Sequence, residues 1–244
     1  LTDILTCLYS SVAILAALAQ RELTGQGQHV DMALLDAEVA SLANQNANYL
    51  TTGKAPGRMG NAHPNIVPYQ DFPTADGDMI VAVGNDGQFA KLCAALGRAE
   101  WAADPRFARN EARVAHRETL IPLLRQETVR RPTADWVRSL ETAGVPCGPI
   151  NRIDQVFAAP QSVARGLKIE MPHPLAGRVP LVANPIRLSE TPVEYRAPPP
   201  LLGQHTREIL SGLLGMTDAA IRDLEKREII QGAIVPSDNP KDAP

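Results

Sequence analysis

The longest uninterrupted apolar stretch of the chain lies at its start. From Ile4 to Leu23 there is neither Pro nor Gly, and Ala, Leu, Ile and Ser dominate. This predicts one long helix stopped by Gly25. Apolar on nearly every side, such a helix belongs in the middle of a fold. Its apolar part, Ile4 to Ala19, is broken by Thr6, Ser10 and Ser11 and followed by Gln20-Arg21-Glu22, so it falls short of the about 20 residues that a membrane span needs. The turn Gly25-Gln26-Gly27-Gln28 leads into His29–Leu34, which reads as a short strand. Asp36 then caps a second helix reaching Gly53. Helix, strand and helix in this order suggest an α/β layer with a largely parallel sheet.

Between Gly53 and Pro68 the periodicity stops. Lys54-Ala55-Pro56-Gly57-Arg58-Met59-Gly60-Asn61-Ala62-His63-Pro64 excludes regular structure and reads as a linker or as a loop over a site. A hairpin follows, Tyr69–Phe72 against Met79–Val83 around Thr74-Ala75-Asp76-Gly77. Asn85-Asp86 caps a helix to Leu96, and Asp104-Pro105 is a turn. Asn110 opens a long amphipathic helix towards Arg131 with Pro122 as a kink, and Thr133 caps another that stops at Gly144. The Pro-rich run Val145–Ile150 suits an edge strand or a crossing segment. Beyond it come short helices between Ile153 and Gly166, strand-like pieces at Leu167–Met171 and Arg178–Leu188, and a Pro-rich connector. Helices capped by Thr206 and Thr217 follow, then a polar tail, Pro236–Pro244, that reads as disordered.

Composition narrows the function classes. A net charge of −3 over 244 residues supplies no basic field for nucleic acid. An apolar share of 44% is enough for a packed core. Cys7, Cys93 and Cys147 form no C-x-x-C pair, and an odd count fits reduced thiols of a cytoplasmic protein better than a disulfide framework. The five His are scattered and no zinc spacing occurs, so no metal is expected. H-E-x-x-H, G-x-S-x-G and G-x-x-x-x-G-K-[ST] are absent. Gly25-x-Gly27 is half a dinucleotide fingerprint in the wrong place, before a strand.

The chemistry that remains centres on Asp3. A carboxylate at a helix start stays ionised beside free N–H groups and the positive end of the macrodipole. It can cap the helix or attack an electrophile, and on local grounds the cap comes first.

Thr2-Asp3-Ile4-Leu5-Thr6 running into an Ala/Leu helix resembles the catalytic-Asp segment of the class III CoA-transferases, the family of formyl-CoA and carnitine CoA-transferases. Further stretches resemble that family in the same order. They are Gly25–Asp31 with Leu34-Leu35-Asp36-Ala37, Arg58–Pro64 with Pro68-Tyr69, Asp76-Gly77, Gly144–Pro149, and Leu202-Gly203-Gln204-His205-Thr206. The resemblance implies an α/β fold: the C-terminal part of a Rossmann-like large domain plus a small α+β domain, in an interlocked homodimer. Residues 1–60 and 185–235 would belong to the large domain, 61–184 to the small one, and 236–244 to the tail. It implies Asp3 as the nucleophile, with Arg58, Gly60, Asn61 and His63 on a loop near the substrate. The substrates would be an acyl-CoA thioester and a small carboxylic acid. No permanently bound cofactor, nucleic acid or membrane would be involved.

Two departures shape the expectation. Where formyl-CoA transferase has a run of glycines, this chain has Asn61-Ala62-His63-Pro64-Asn65-Ile66, which is stiffer and favours a dicarboxylate or larger acyl group, such as succinyl, over formyl and oxalate. Gln204 stands where the family often has Glu. The chain opens on Leu-Thr-Asp and reads as one whose beginning lies elsewhere, because family members carry a sizeable N-terminal half before the Asp. A separate first half or an inactive truncated copy are the other readings of that gap. A racemase acting at the α-carbon of an acyl-CoA is a rival on the same fold.

Overall fold

The computed structural model describes residues 1–232, and the predicted tail Pro236–Pro244 lies outside them. They divide into two compact units, Leu1–Ile150 and a second from Asn151 on.

The first unit opens with helix α1 (Thr2–Thr24), which ends at Gly25 with φ 72°, a left-handed turn whose N–H bonds back to the Arg21 carbonyl. α1 is 23 residues long, and by length and composition alone it could cross a membrane. The expectation that α1 is enclosed by the fold is not met. None of its residues is buried: α2 (Leu34–Ser41) lies against it, yet Ile4, Leu8, Val12 and Leu15 stay exposed. His29–Leu34 forms no strand among the described residues. It runs without a neighbour to complete a ladder, which extended backbone needs to become a sheet. Asp36 sits in the first turn of α2 instead of at its cap, which is Ala33. The single helix expected as far as Gly53 is broken at Ala43, where φ is 45°, and resumes as α3 (Asn44–Thr52).

The hairpin appears as read: β1 (Tyr69–Pro73) pairs antiparallel with β2 (Asp78–Ala82), Phe72 opposite Met79. The edge strand is β3 (Cys147–Pro149), paired antiparallel with β2. Among the described residues both sheets are antiparallel, which corrects the expected parallel sheet. Period-two alternation sends Phe72, Met79 and Val81 to one face. There they meet α4 (Asp86–Ala95), α6 (Arg117–Thr128) and α7 (Thr133–Ala143) in a core with Phe89, Leu92, Leu120, Leu124, Trp136 and Leu140. Asn85 caps α4 by accepting the Gln88 N–H at 2.9 Å. The long helix expected from Asn110 splits into α5 (Asn110–Ala115) and α6 at His116, and Pro122 lies inside α6. The N–H groups of Thr119 and Leu120 both turn to the His116 carbonyl, so a new first turn starts there.

Thr133 is the first residue of α7 instead of its cap, and its N–H and hydroxyl both donate to Asp76 Oδ1, at 2.8 and 2.9 Å. Those two bonds, the backbone one foremost, hold the Asp76 carboxyl below the usual carboxylate range. A depressed folded-state pKa contributes stability that is present above the unfolded value, about 4, and is lost as pH falls through the folded one. Acid unfolding followed by circular dichroism should therefore set in at higher pH for wild type than expected from neutral-pH stability alone. Asp76→Asn should flatten that slope below about pH 4 while lowering stability at pH 7.

In the second unit α8 (Ile153–Ala158) and α9 (Pro160–Ala164) precede an antiparallel hairpin, β4 (Lys168–His173) with β5 (Gly177–Val182). The helix expected from Thr206 is a single α-helical turn, α10 (Thr206–Glu208), that widens into a π-helical turn over Ile209–Leu213. Thr217 caps α11 (Asp218–Lys226) by accepting the Ala220 N–H. Gly203 has φ 72°, and a Cβ on it would lie 2.6 Å from the Gln231 carbonyl oxygen, so no other residue fits there.

Candidate active site

Asp3 lies exposed in the first turn of α1. The cap position is Leu1, and no side chain caps the helix. Among the described residues the Asp3 carboxylate makes no ion pair, and the polar contact at this helix start is its neighbour's: Thr2 Oγ1 donates to Glu38 Oε2 of α2 at 2.5 Å. The local argument for a capping role therefore finds no bond to support it. A free, solvent-reachable carboxylate remains beside unpaired amides.

The loop before β1 is tied down from several sides. The His63 N–H donates to the Tyr69 carbonyl at 2.9 Å, and the two rings stack at 5.3 Å. His63 Nδ1 accepts the Asn65 N–H at 3.1 Å, while Nε2 lies 3.2 Å from the Asn44 side-chain amide of α3. Asn48 and Asn65 exchange two amide bonds, at 3.1 and 3.2 Å. From the far side Asn110 donates to the Asn65 carbonyl at 2.8 Å and accepts the Val67 N–H at 3.2 Å. Arg117 donates to the Pro64 carbonyl at 2.6 Å. Arg113, fully buried, donates to the carbonyls of Val67 at 2.6 Å and Phe107 at 2.9 Å and pairs with Asp86 at 2.9 Å. Burial alone would raise the Asp86 pKa, but the Arg113 hydrogen bond and charge outweigh it and hold the carboxyl below its usual range.

The structure thus separates the predicted site residues into groups. His63 is half-buried and held. Gly60 adopts φ 59° in an exposed turn closed by the Ala62 N–H on the Met59 carbonyl, with Asn61 exposed beside it. Arg58 lines a cavity of about 640 Å3 with Arg117 and Arg125. Asp3 does not line that cavity. Sequence reading missed Asn44, Asn110, Arg113 and Arg117, the residues that make the loop rigid. The usable signal was the helical spacing of Arg113, Arg117 and, further along, Arg125. Cys93 is no candidate nucleophile, since burial pushes its thiol up to about 12.

Residues 1–206 match the family described as CoA-transferase family III. A curated succinate–glutarate CoA-transferase of Agrobacterium fabrum is 49% identical over 211 residues, 86% of this chain and 53% of that protein. The succinyl-CoA:glutarate CoA-transferase of Homo sapiens is 42% identical over 92% of this chain and 51% of its own length. Among solved structures, a CAIB/BAIF family protein from Brucella suis superposes with a TM-score of 0.71 at 48% identity, covering 87% of this chain and 55% of that one. The chain spans about half the length of the curated relatives it matches. The match takes in the whole of α1, so its open apolar sides are faces of the family's shared domain. From this agreement of sequence and fold, the chain belongs to CoA-transferase family III.

Proposed function

We propose that the protein moves CoA between succinyl-CoA and a second dicarboxylate of glutarate type, with Asp3 as the nucleophile. The observation that carries this reading is the 49% identity to a succinate–glutarate CoA-transferase over 86% of the chain. The unpaired carboxylate of Asp3 supports the nucleophile's position. Asp3 attacks the thioester carbonyl carbon, the C–S bond breaks, and CoA leaves as thiolate with its electron pair, leaving a mixed anhydride on the enzyme. The thiolate then attacks the aspartyl carbonyl and the first acid departs as carboxylate. The resulting enzyme thioester is taken by the second carboxylate through the same steps reversed, regenerating free Asp3. No water enters, and none can be admitted without hydrolysing the intermediates.

A carboxylate suits this exchange because anhydride and thioester both stay activated, so little free energy is lost between acyl groups. Free N–H groups at the start of α1 would stabilise the developing oxyanion. Arg58, Gly60, Asn61 and His63 form the loop proposed to face the acyl group, and its network of bonds fits a preorganised wall. The protein would act in the cytoplasm as a homodimer, the open apolar sides of α1 supporting a subunit contact.

The test is isotope exchange with the intact gene product. Labelled glutarate should enter glutaryl-CoA at the expense of succinyl-CoA, and hydroxylamine added during turnover should mark Asp3 as the hydroxamate in peptide mass spectra. Deuterium entering the α-carbon without CoA exchange would overturn the reading in favour of proton-transfer chemistry.

A further inference from the structure

The cavity that Arg58 lines has a composition the transfer chemistry above does not use. Arg58, Arg117 and Arg125 converge on it with one carboxylate, Glu118, and with Gln70. Arg117, Ile121 and Arg125 recur at every fourth residue of α6, so a single helical face presents two of the guanidiniums. Among the described residues none of the three arginines forms an ion pair. Arg117 spends one nitrogen on the loop carbonyls of His63 and Pro64, which leaves its charge uncompensated.

Gln70 is the second observation. It is only 8% exposed, its side chain makes no hydrogen bond among the described residues, and it lines this same cavity. Its amide reaches the cavity without a protein partner and can bond a ligand there. Three cations against one anion favour a negatively charged ligand. Guanidinium forks match the two oxygens of a carboxylate or phosphate, and about 640 Å3 is the size of a small-molecule site.

We infer that Arg58, Arg117, Arg125 and Gln70 form an anion subsite for the acyl-CoA substrate, taking an oxyanion group other than the thioester. The group is either the distal carboxylate of a dicarboxylic acyl chain or a phosphate of the CoA arm. The inference rests on the transferase reading for its substrate and on the cavity alone for its charge preference.

The test uses Arg125→Gln and Arg125→Lys in the intact gene product, since Arg125 is exposed and holds nothing else in place. If the cavity takes the distal carboxylate, Arg125→Gln lowers kcat/KM for succinyl-CoA about 10- to 100-fold and leaves butyryl-CoA within about twofold, with partial rescue by Lys. If it takes a phosphate, both acyl-CoAs fall alike and the loss vanishes with 3′-dephospho-CoA thioesters. Titration calorimetry with glutarate and with inorganic phosphate separates this inference from the transfer reading. Anion binding weakened by Arg125→Gln in a protein that exchanges no CoA would leave the anion subsite standing and remove the transfer reading. Normal exchange with every substrate and every binding heat unchanged in Arg125→Gln would overturn the subsite alone.

Discussion

Asp3→Asn should abolish CoA exchange, lowering turnover by at least about a thousandfold, while the fold survives. The amide is isosteric with the carboxylate, so substrate binding is preserved, but it cannot supply the oxygen that bonds to the acyl carbon. Two roles for this residue predict opposite pairs of results. A capping Asp contributes about 1 kcal/mol to stability and nothing to chemistry. A nucleophile with no bond of its own contributes only the helix-end electrostatic effect, about 0.3–1 kcal/mol at an exposed site, and nearly all of the rate. Since the carboxylate caps nothing and α1 begins at Thr2 beneath a Leu cap, the thermal transition should barely move. Exchange measured beside circular dichroism decides between them: unchanged turnover with a lowered transition temperature would return Asp3 to a structural role.

Where the chain turns was legible in the sequence, and what packs against what was not. Gly25 and Gly144 end α1 and α7 at left-handed residues as read, because those stop signals are local. The hairpin of β1 and β2 was equally local, two alternating runs around Asp76-Gly77. His29–Leu34 failed for the opposite reason. With Val30 its one strong β-former, the segment becomes a strand only when another strand lies alongside, which no property of the segment itself guarantees. The same limit applies to α1, whose apolar faces promised burial that depends on elements other than α1. Pro122 lies within α6, where its missing N–H costs one bond to the Glu118 carbonyl at a cavity-lining position.

The contacts that hold the candidate loop were hidden in the sequence. Asp3, Arg58, Gly60, Asn61 and His63 are candidates through the family resemblance, since composition and spacing alone leave the function open. The groups that fix the loop are asparagines and arginines from helices 17 to 54 residues away in sequence, among them Asn44 and Asn48 of α3, Asn110 of α5 and Arg117 of α6. An arginine read on a helix face is by default a solvated one, and the four-residue spacing that links Arg113 to Arg117 and Arg125 tells of a shared face but not that Arg113 points inward. Asn61–Ile66 lacks the backbone freedom of a glycine run, and the bonds of His63 and Asn65 restrain it further.

Arg113→Leu should destabilise the first unit by about 3–5 kcal/mol, the largest single-residue loss available outside the apolar core. The substitution keeps much of the volume over the Phe89 ring, where the guanidinium carbon now sits 4.5 Å from the centroid. It removes three donors at once, orphaning the buried carbonyls of Val67 and Phe107 and leaving Asp86 to Arg109, 3.4 Å away. The carbonyl bonds, not the ion pair, should dominate that loss. The Asp86 side chain is 37% exposed, so water screens the pair and its own share is about 1 kcal/mol or less. Asp86→Asn, which retains an acceptor for Arg113, should therefore cost a small fraction of the Arg113→Leu effect in denaturant unfolding, and Arg113→Lys should fall between them because one ammonium cannot reach three acceptors. Equal losses in Asp86→Asn and Arg113→Leu would instead assign the energy to the charge pair. Because Val67 closes the loop that begins at His63, the same Arg113→Leu protein should also exchange the loop's amide hydrogens faster, well below the denaturant concentration at which the unit unfolds.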